Sequence, residues 1–399
     1  MTESNAHSSA GPGPLAGVRI VDLTTIVMGP MATRVLGDLG ADVVRVETHE
    51  PELMRNFVPQ RSVGMSGMAM NLQRNKRSVA LNLKSDDGHR ALCDIVASAD
   101  ALVTNLRPAA LARLGLSPED LLAVKPDLVY CSAVGFGSDG PYAGQAAYDD
   151  VIQGLSGMSS MFAWNGDKPA FVPSIVADKV AALHIVYAVM GGLFRRAMTG
   201  AGDVIEVPMA EALASFNLVE HLNGHTFEPK LEPFSYPRIT STNRHPRPSK
   251  DGWIVLLPYS NQNWKDFFER VGQPHYAEDP RFVDANARVA NADDLYGLVD
   301  EYAPMFTTSE WLEFCEAHSI PAAPVVPLED LDQDPHFAAV GLLELAEHPT
   351  EGSYRVIKDP VRYASDPDQT IKRHAPRIGQ HNTEVMRELG WSDEEIAEL

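Results

Sequence analysis

GVRIVDLTTIVMGPMATRVLGDLGADVVRVE, residues 17–47, reads as strand, helix, strand. GVRIVDLT is rich in β-branched and apolar residues. MGPMATRVLGDLG then carries apolar residues at helical spacing and stops at Gly40, where a C′ glycine closes a helix. ADVVRVE is a second β-rich run. Outward from it the alternation continues. SVALNL reads as a strand, and Ser85 caps the helix of SDDGHRALCDIVASAD, with acids in its first turn where the dipole favours them. ALVTNL, PAALARLG and LVYCSAVGF follow, then DVIEVPM at 203–209 and the helix of AEALASFNLVEHL. Strands that alternate with helices imply parallel pairing, in an α/β sheet covered on both faces.

The texture changes near residue 225. HTFEPKLEPFSYPRITSTNRHPRPSKDG has no helical period and reads as a long connection. GWIVLLP and NQNWKDFFERVG then supply a strand and an amphipathic helix to a smaller lobe over 226–329. Residues 330–399 read as Pro-rich and strand-poor, with a helix at NTEVMRELG. Residues 1–14 read as a disordered tail, without the apolar core of a signal peptide.

Composition narrows the function. A chain of 399 residues, 44% hydrophobic and 22% charged, fits a globular protein with more than one lobe. A net charge of −21 argues against a nucleic-acid or anionic-lipid partner. Cys93, Cys131 and Cys315 form no CxxC pair, which points to a reducing, cytoplasmic setting. The apolar run from Val180 to Phe194 is short for a bilayer span and reads as a core helix.

The usual signatures are missing. The first strand is not followed by GxGxxG, and neither GxxxxGK[ST] nor GxSxG occurs. His221 and His225 have metal-pair spacing, but Leu222 stands where a zinc protease needs Glu, and no metal site is expected.

Four stretches carry chemistry. MNLQRNKRSVALNLK, with Arg90 beyond it, gathers Arg74, Lys76, Arg77 and Lys84, either as a phosphate pocket or as a solvated loop. Arg107 and Arg113 flank a short helix opened by Pro108. GFGSDGPYAGQAAYDDVIQGLSG, 135–157, has six glycines, with Tyr148, Asp149 and Asp150 behind them. VPSIVADKVAAL, 172–183, sets Asp178 at the head of a long apolar helix. From the residues alone Asp178 is either an N-cap or a poorly hydrated nucleophile held ionised by the helix dipole.

In that order LAGVRIVDLT, GPMATRVLGDLGADVVRVE, NKRSVALNLK, NLRPAALARLGL, DGPYAGQAAYDDVIQGLSG, TGAGDVIEVPMAEAL and APRIGQHNTEVMRELG resemble the family III CoA-transferases over residues 14 to 390. The resemblance implies interlocked ring-like homodimers. It also implies a Rossmann-like large domain built from both chain ends, 15–225 and 330–399, around the smaller α+β domain. It makes Asp178 the nucleophile that carries CoA from an acyl-CoA to a small carboxylic acid, through an anhydride and an aspartyl-CoA thioester. It assigns Thr25, Ile26, Val27, Leu81, Asn82, Leu83, Lys84, Asn105, Leu106, Arg107, Arg113, Tyr148, Asp149 and Met209 to the CoA and its thioester. Backbone N–H groups of the glycine-rich loop are expected to hold the oxyanion. The alternatives are an acyl-CoA racemase or isomerase of the same family, and a non-catalytic acyl-CoA-binding homologue.

Some positions depart from the pattern. Val27 replaces a Gln, and Thr48 an Arg for which Arg55 is the available substitute. The glycine run of the oxalate-using enzymes is missing. Tyr148 stands where racemases carry His, and a phenol, which ordinarily keeps its proton to about pH 10, is a poor base. Met65, Met68, Phe136 and Trp164 are the candidates for an apolar acceptor pocket.

Overall fold

Six strands take up the apolar runs: β1 (Arg19–Leu23), β2 (Asp42–Glu47), β3 (Lys76–Ala80), β4 (Ala101–Thr104), β5 (Val129–Val134) and β6 (Asp203–Pro208). The computed structural model describes residues 13–164, 166, 168–364, 366 and 371–399. All five pairings are parallel, in the order β3-β2-β1-β4-β5-β6. The chain runs outward to one edge, returns to the middle and runs outward again. This is the order of a doubly wound Rossmann sheet, whose switch point lies between β1 and β4. The helix Met28–Asp38 closes as read, with Gly40 at a φ of +100°. Ser85 accepts the Gly88 N–H and caps Asp86–Ala97.

The described chain forms two units. The larger comprises the chain up to Ser156, Pro173–Leu213 and His336–Leu399. Its apolar core joins Val21, Val44, Val79, Leu102 and Tyr130 to Val385, Met386 and Trp391 near the C-terminus. The stretch read as strand-poor carries an antiparallel hairpin, Leu343–His348 with Gly352–Ile357. Its alternation of apolar and polar residues is too weak to stand out in the sequence. The smaller unit comprises Gly157–Val172 and Ala214–Pro335. It holds a three-stranded antiparallel sheet and an aromatic core in which Phe267 stacks on Trp311 at 5.6 Å.

The helix Val176–Thr199 exceeds its sequence reading: it spans 24 residues, because Val176–Lys179 and Arg195–Thr199 extend the apolar run at both ends. Its length and composition would suffice to cross a membrane. Here its inner face, Ala177, Ala181, Ile185 and Val189, is buried, and the helix packs on β5 and β6. Gly192 is required by that contact, since a Cβ there would sit 2.6 Å from Val129 Cγ1. Leu183, Tyr187, Phe194 and Met198 form an exposed apolar stripe along another face.

The basic cluster divides. Lys76 and Arg77 lie within β3 and are buried with Arg74. Arg74 pairs with Asp38 at 2.7 Å, Lys76 with Asp22 at 2.8 Å, and Arg77 with Asp42 and Glu388. These three are neither a phosphate pocket nor a solvated loop. They are internal counter-ions, and only Lys84 and Arg90 of the group are exposed.

Candidate active site

A cavity of about 680 Å³ opens in the larger unit beyond the carboxyl ends of the sheet. Thr25, Ile26 and Met28 follow β1, Asn105 to Ala109 follow β4, Ala133 and Val134 end β5, and Glu206 and Met209 come from the end of β6. It therefore lies at the switch point, where a doubly wound sheet leaves a crevice for a ligand.

Asp178 lines this cavity. It is the third residue of the Val176–Thr199 helix, whose N-cap position is Ile175, so the capping reading of Asp178 is incorrect. The cap comes from elsewhere in the chain. Asp149 Oδ1 accepts the N–H groups of Ala177 at 2.7 Å and Asp178 at 3.1 Å. Gln153 Nε2 donates to Asp149 Oδ2 at 2.6 Å and to the Ser174 carbonyl at 3.1 Å, fixing the pair. With these amides taken by Asp149, the Asp178 carboxylate is left facing the cavity. Burial pushes its pKa from 3.8 up to about 6, and the Asp149 charge adds to the rise; the Met28 backbone N–H works against it. Such a carboxylate is ionised at neutral pH yet poorly hydrated, and it attacks an electrophile better than one in bulk water.

Of the residues expected here, Thr25, Ile26, Asn105, Leu106, Arg107, Tyr148, Asp178 and Met209 share the cavity. The others do not line it. Val27 is buried at the N-cap of the Met28–Asp38 helix, and Leu81 is buried in the core. Asn82, Leu83 and Lys84 follow β3, the edge strand of the sheet, and Arg113 lies at the far end of the helix that Arg107 precedes. Asp149 is buried beneath the cavity wall as the cap. Arg55 does not replace the missing Arg at Thr48. It is fully buried, bound to Glu47 at 2.7 Å, and donates to the Gly64 and Pro376 carbonyls. Of the apolar acceptor-pocket candidates, Phe136 lines the cavity. Met65 packs in a small core with Met70, and Trp164 contacts His221 in the smaller unit.

The glycine-rich loop is tied down at its base. Gly137 N–H donates to Glu211 and Ser138 N–H to Glu206, both at 2.9 Å. Gly135 admits the close approach of Ala147, 2.4 Å from where its Cβ would lie. The amides of Gly137, Ser138, Gly140, Ala143 and Gln145 are thereby engaged within the protein. Those of Gly144, Ala146 and Ala147 take no protein partner among the described residues and are among the amides available to an oxyanion.

Sequence reasoning missed the support beneath Ile26. Its N–H donates to Glu52 Oε2 at 2.8 Å, and Glu52 pairs with the buried Arg45. His221 and His225 do not converge: the first bonds Ser235 at 2.7 Å and the second faces Glu232.

A doubly wound sheet with a deep cavity at its switch point and an acid on the cavity wall defines a ligand-transforming site of coenzyme dimensions. The chain belongs to CoA-transferase family III, whose model matches residues 15–382. It is an enzyme of the CoA-transferase type. It is 29% identical to a formyl-CoA:oxalate CoA-transferase of Streptomyces coelicolor, over 96% of this chain and 97% of that one. It is 30% identical to the human succinyl-CoA:glutarate CoA-transferase, over 97% of this chain and 88% of the relative. Among solved structures, a CaiB/BaiF family protein from Brucella suis superposes with a TM-score of 0.79 at 27% identity, covering 95% of this chain and all (100%) of that one. A hypothetical protein from Mycobacterium tuberculosis gives 0.81 at 27% identity, covering 94% and 99%.

Proposed function

We propose that the chain moves CoA from an acyl-CoA to a small carboxylic acid through covalent intermediates on Asp178. An Asp178 oxygen attacks the thioester carbonyl, the C–S bond breaks, and CoA leaves as the thiolate. The thiolate attacks the Asp178 carbonyl of the mixed anhydride and expels the donor carboxylate, leaving an aspartyl-CoA thioester. The acceptor carboxylate attacks that thioester and releases the thiolate again. The thiolate then takes the acceptor's acyl group and frees Asp178. Each step exchanges one acyl bond for another, with no net proton or redox change.

The observation that carries this reading is the state of Asp178: half-buried on the cavity wall, its proton affinity raised, its helix capped by another acid. Arg107 is the one cation lining the cavity among the described residues and suits the CoA phosphates. The exposed stripe Leu183, Tyr187, Phe194 and Met198 supports an interlocked homodimer, because a contiguous apolar face marks an interaction surface. Free thiols at Cys93, Cys131 and Cys315 suit the cytoplasm.

Mass spectrometry after incubation with acyl-CoAs and a panel of acids tests the proposal. A CoA adduct on the peptide bearing Asp178, absent from Asp178→Ala, is expected. Exchange that persists in Asp178→Ala overturns the mechanism. Solvent deuterium entering the acyl α-carbon without exchange assigns the racemase chemistry instead.

A further inference from the structure

Residues 24–28 join β1 to the helix that follows, and they hold an unusual backbone. Ile26 has a φ of +66°. A β-branched residue in the left-handed region is strained by about 1–3 kcal/mol and persists only where its surroundings over-determine it. Three ties do so here. Asn105 Oδ1 accepts the Thr25 N–H at 2.8 Å, while Asn105 Nδ2 donates to the Thr25 carbonyl at 2.9 Å. Arg45 Nη1 donates to the Thr24 carbonyl at 3.1 Å. Glu52 Oε2 accepts the Ile26 N–H at 2.8 Å.

The last two ties are one device. Arg45 is buried and pairs with Glu52 and Glu47. The pair grips the turn at two points, the cation at a carbonyl and the carboxylate at an amide two residues on. Glu52 is not among the residues lining the cavity, whereas Thr25, Ile26, Met28 and Asp178 are.

We infer that Glu52 is a positioning residue of the transfer site: through the Ile26 amide it holds the strained turn that forms one cavity wall and keeps the Met28 amide beside Asp178. The inference rests on Asp178 being the nucleophile. A carboxylate suits the role because an ionised acceptor makes a stronger bond to N–H than a neutral one. The Met28 amide favours the ionised Asp178, so displacing the turn also changes the acid's titration.

A double-mutant cycle tests this. Glu52→Ala is expected to lower kcat by about tenfold and to move the acid limb of the kcat/KM profile to higher pH. Glu52→Gln retains an acceptor for Ile26 and is expected to recover most of the rate. Glycine takes a positive φ without strain, so the Glu52→Ala loss is expected to shrink several-fold in an Ile26→Gly background. Equal losses in both backgrounds, or a lower kcat with an unmoved acid limb, overturn the inference and leave Glu52 a structural ion-pair member. Should Glu52→Ala not fold, Glu52→Asp keeps the charge toward Arg45, withdraws the acceptor from Ile26 and carries the same cycle. The CoA adduct on the unsubstituted protein tests the nucleophile separately, so the two failures are told apart.

Discussion

The Asp149 carboxylate reaches across 28 residues of sequence to cap the helix of Asp178, taking the Ala177 and Asp178 N–H groups at 2.7 and 3.1 Å. The arrangement gives the two acids different tasks. Asp149 is buried and satisfied by main-chain amides and Gln153. Asp178, in the first turn of the same helix, lines the cavity, accepts the Met28 N–H and feels the neighbouring charge.

Replacing that charge while keeping the cap separates the two effects. Asn at 149 still offers an oxygen to the Ala177 and Asp178 amides. Asp149 raises the Asp178 pKa, so Asp149→Asn lowers it, and the acid limb of kcat/KM moves to lower pH. The neutral-pH rate falls at the same time, because a less basic carboxylate is a weaker nucleophile. An acid limb in the same place for both proteins would show that the titrating group does not sense Asp149.

The sheet was legible because its six strands are short apolar runs between helical patterns, and alternation of that kind admits few topologies. Asp178 stood out as an acid at an apolar helix head, but its place within the first turn was not legible. Position in a cap depends on which residue's side chain meets the amides, and here that residue is Asp149, in a different segment. The basic cluster misled for a related reason. Lys76 and Arg77 look like surface charges in sequence, and their partners Asp22, Asp42 and Glu388 lie 54, 35 and 311 residues away. The Glu52–Ile26 bond had no periodic signal at all, since it joins two irregular segments.

Arg107 precedes the Pro108–Arg113 helix with its side chain exposed at the cavity, and no carboxylate pairs with it among the described residues. Its guanidinium is therefore free for a phosphate. Arg107→Ala is expected to raise KM for an acyl-CoA several-fold with little change in kcat, the pattern of lost uniform binding. The difference should narrow at high ionic strength, because screening weakens an exposed charge pair. Steady-state kinetics at low and high salt measure both. A loss confined to kcat would place Arg107 at the reacting group instead.

The Lys76 ammonium is wholly buried, with Asp22 and Thr33 at 2.8 Å and the Pro30 carbonyl at 3.0 Å. Burial works against an ionised Asp22, but Lys76 and Arg45 beside it hold its carboxyl well below the usual range. Lys76→Met leaves Arg45, 3.6 Å away, as the remaining cation beside that charge among the described residues, with the hydrogen bonds from Thr24 and Thr33 still in place, and should cost about 3–5 kcal/mol in urea unfolding. Asp22→Asn combined with Lys76→Met removes both charges and should be more stable than Lys76→Met alone. A single variant within about 1 kcal/mol of the parent would mean that Arg45 and the hydrogen bonds from Thr24 and Thr33 satisfy Asp22 without Lys76.

Asp178 itself should weaken the fold. Asp178 ordinarily titrates at 3.8 and is raised to about 6 by burial and by Asp149. Between those values the folded chain binds more protons than the unfolded one, so its stability falls as pH rises through that window. Above the folded pKa the loss is complete, about 3 kcal/mol for a shift of this size; below the unfolded pKa it vanishes. Asp178→Asn has no charge to desolvate. It should therefore unfold at higher urea than the parent at pH 8, match it near pH 4, and show no CoA transfer at either pH. Urea midpoints for the two proteins across that range decide the matter: a constant difference would mean that the Asp178 carboxyl does not titrate differently in the folded chain. A difference that grows with pH, beside a dead enzyme, marks a group whose poor solvation is maintained against the stability of the fold because the chemistry depends on it.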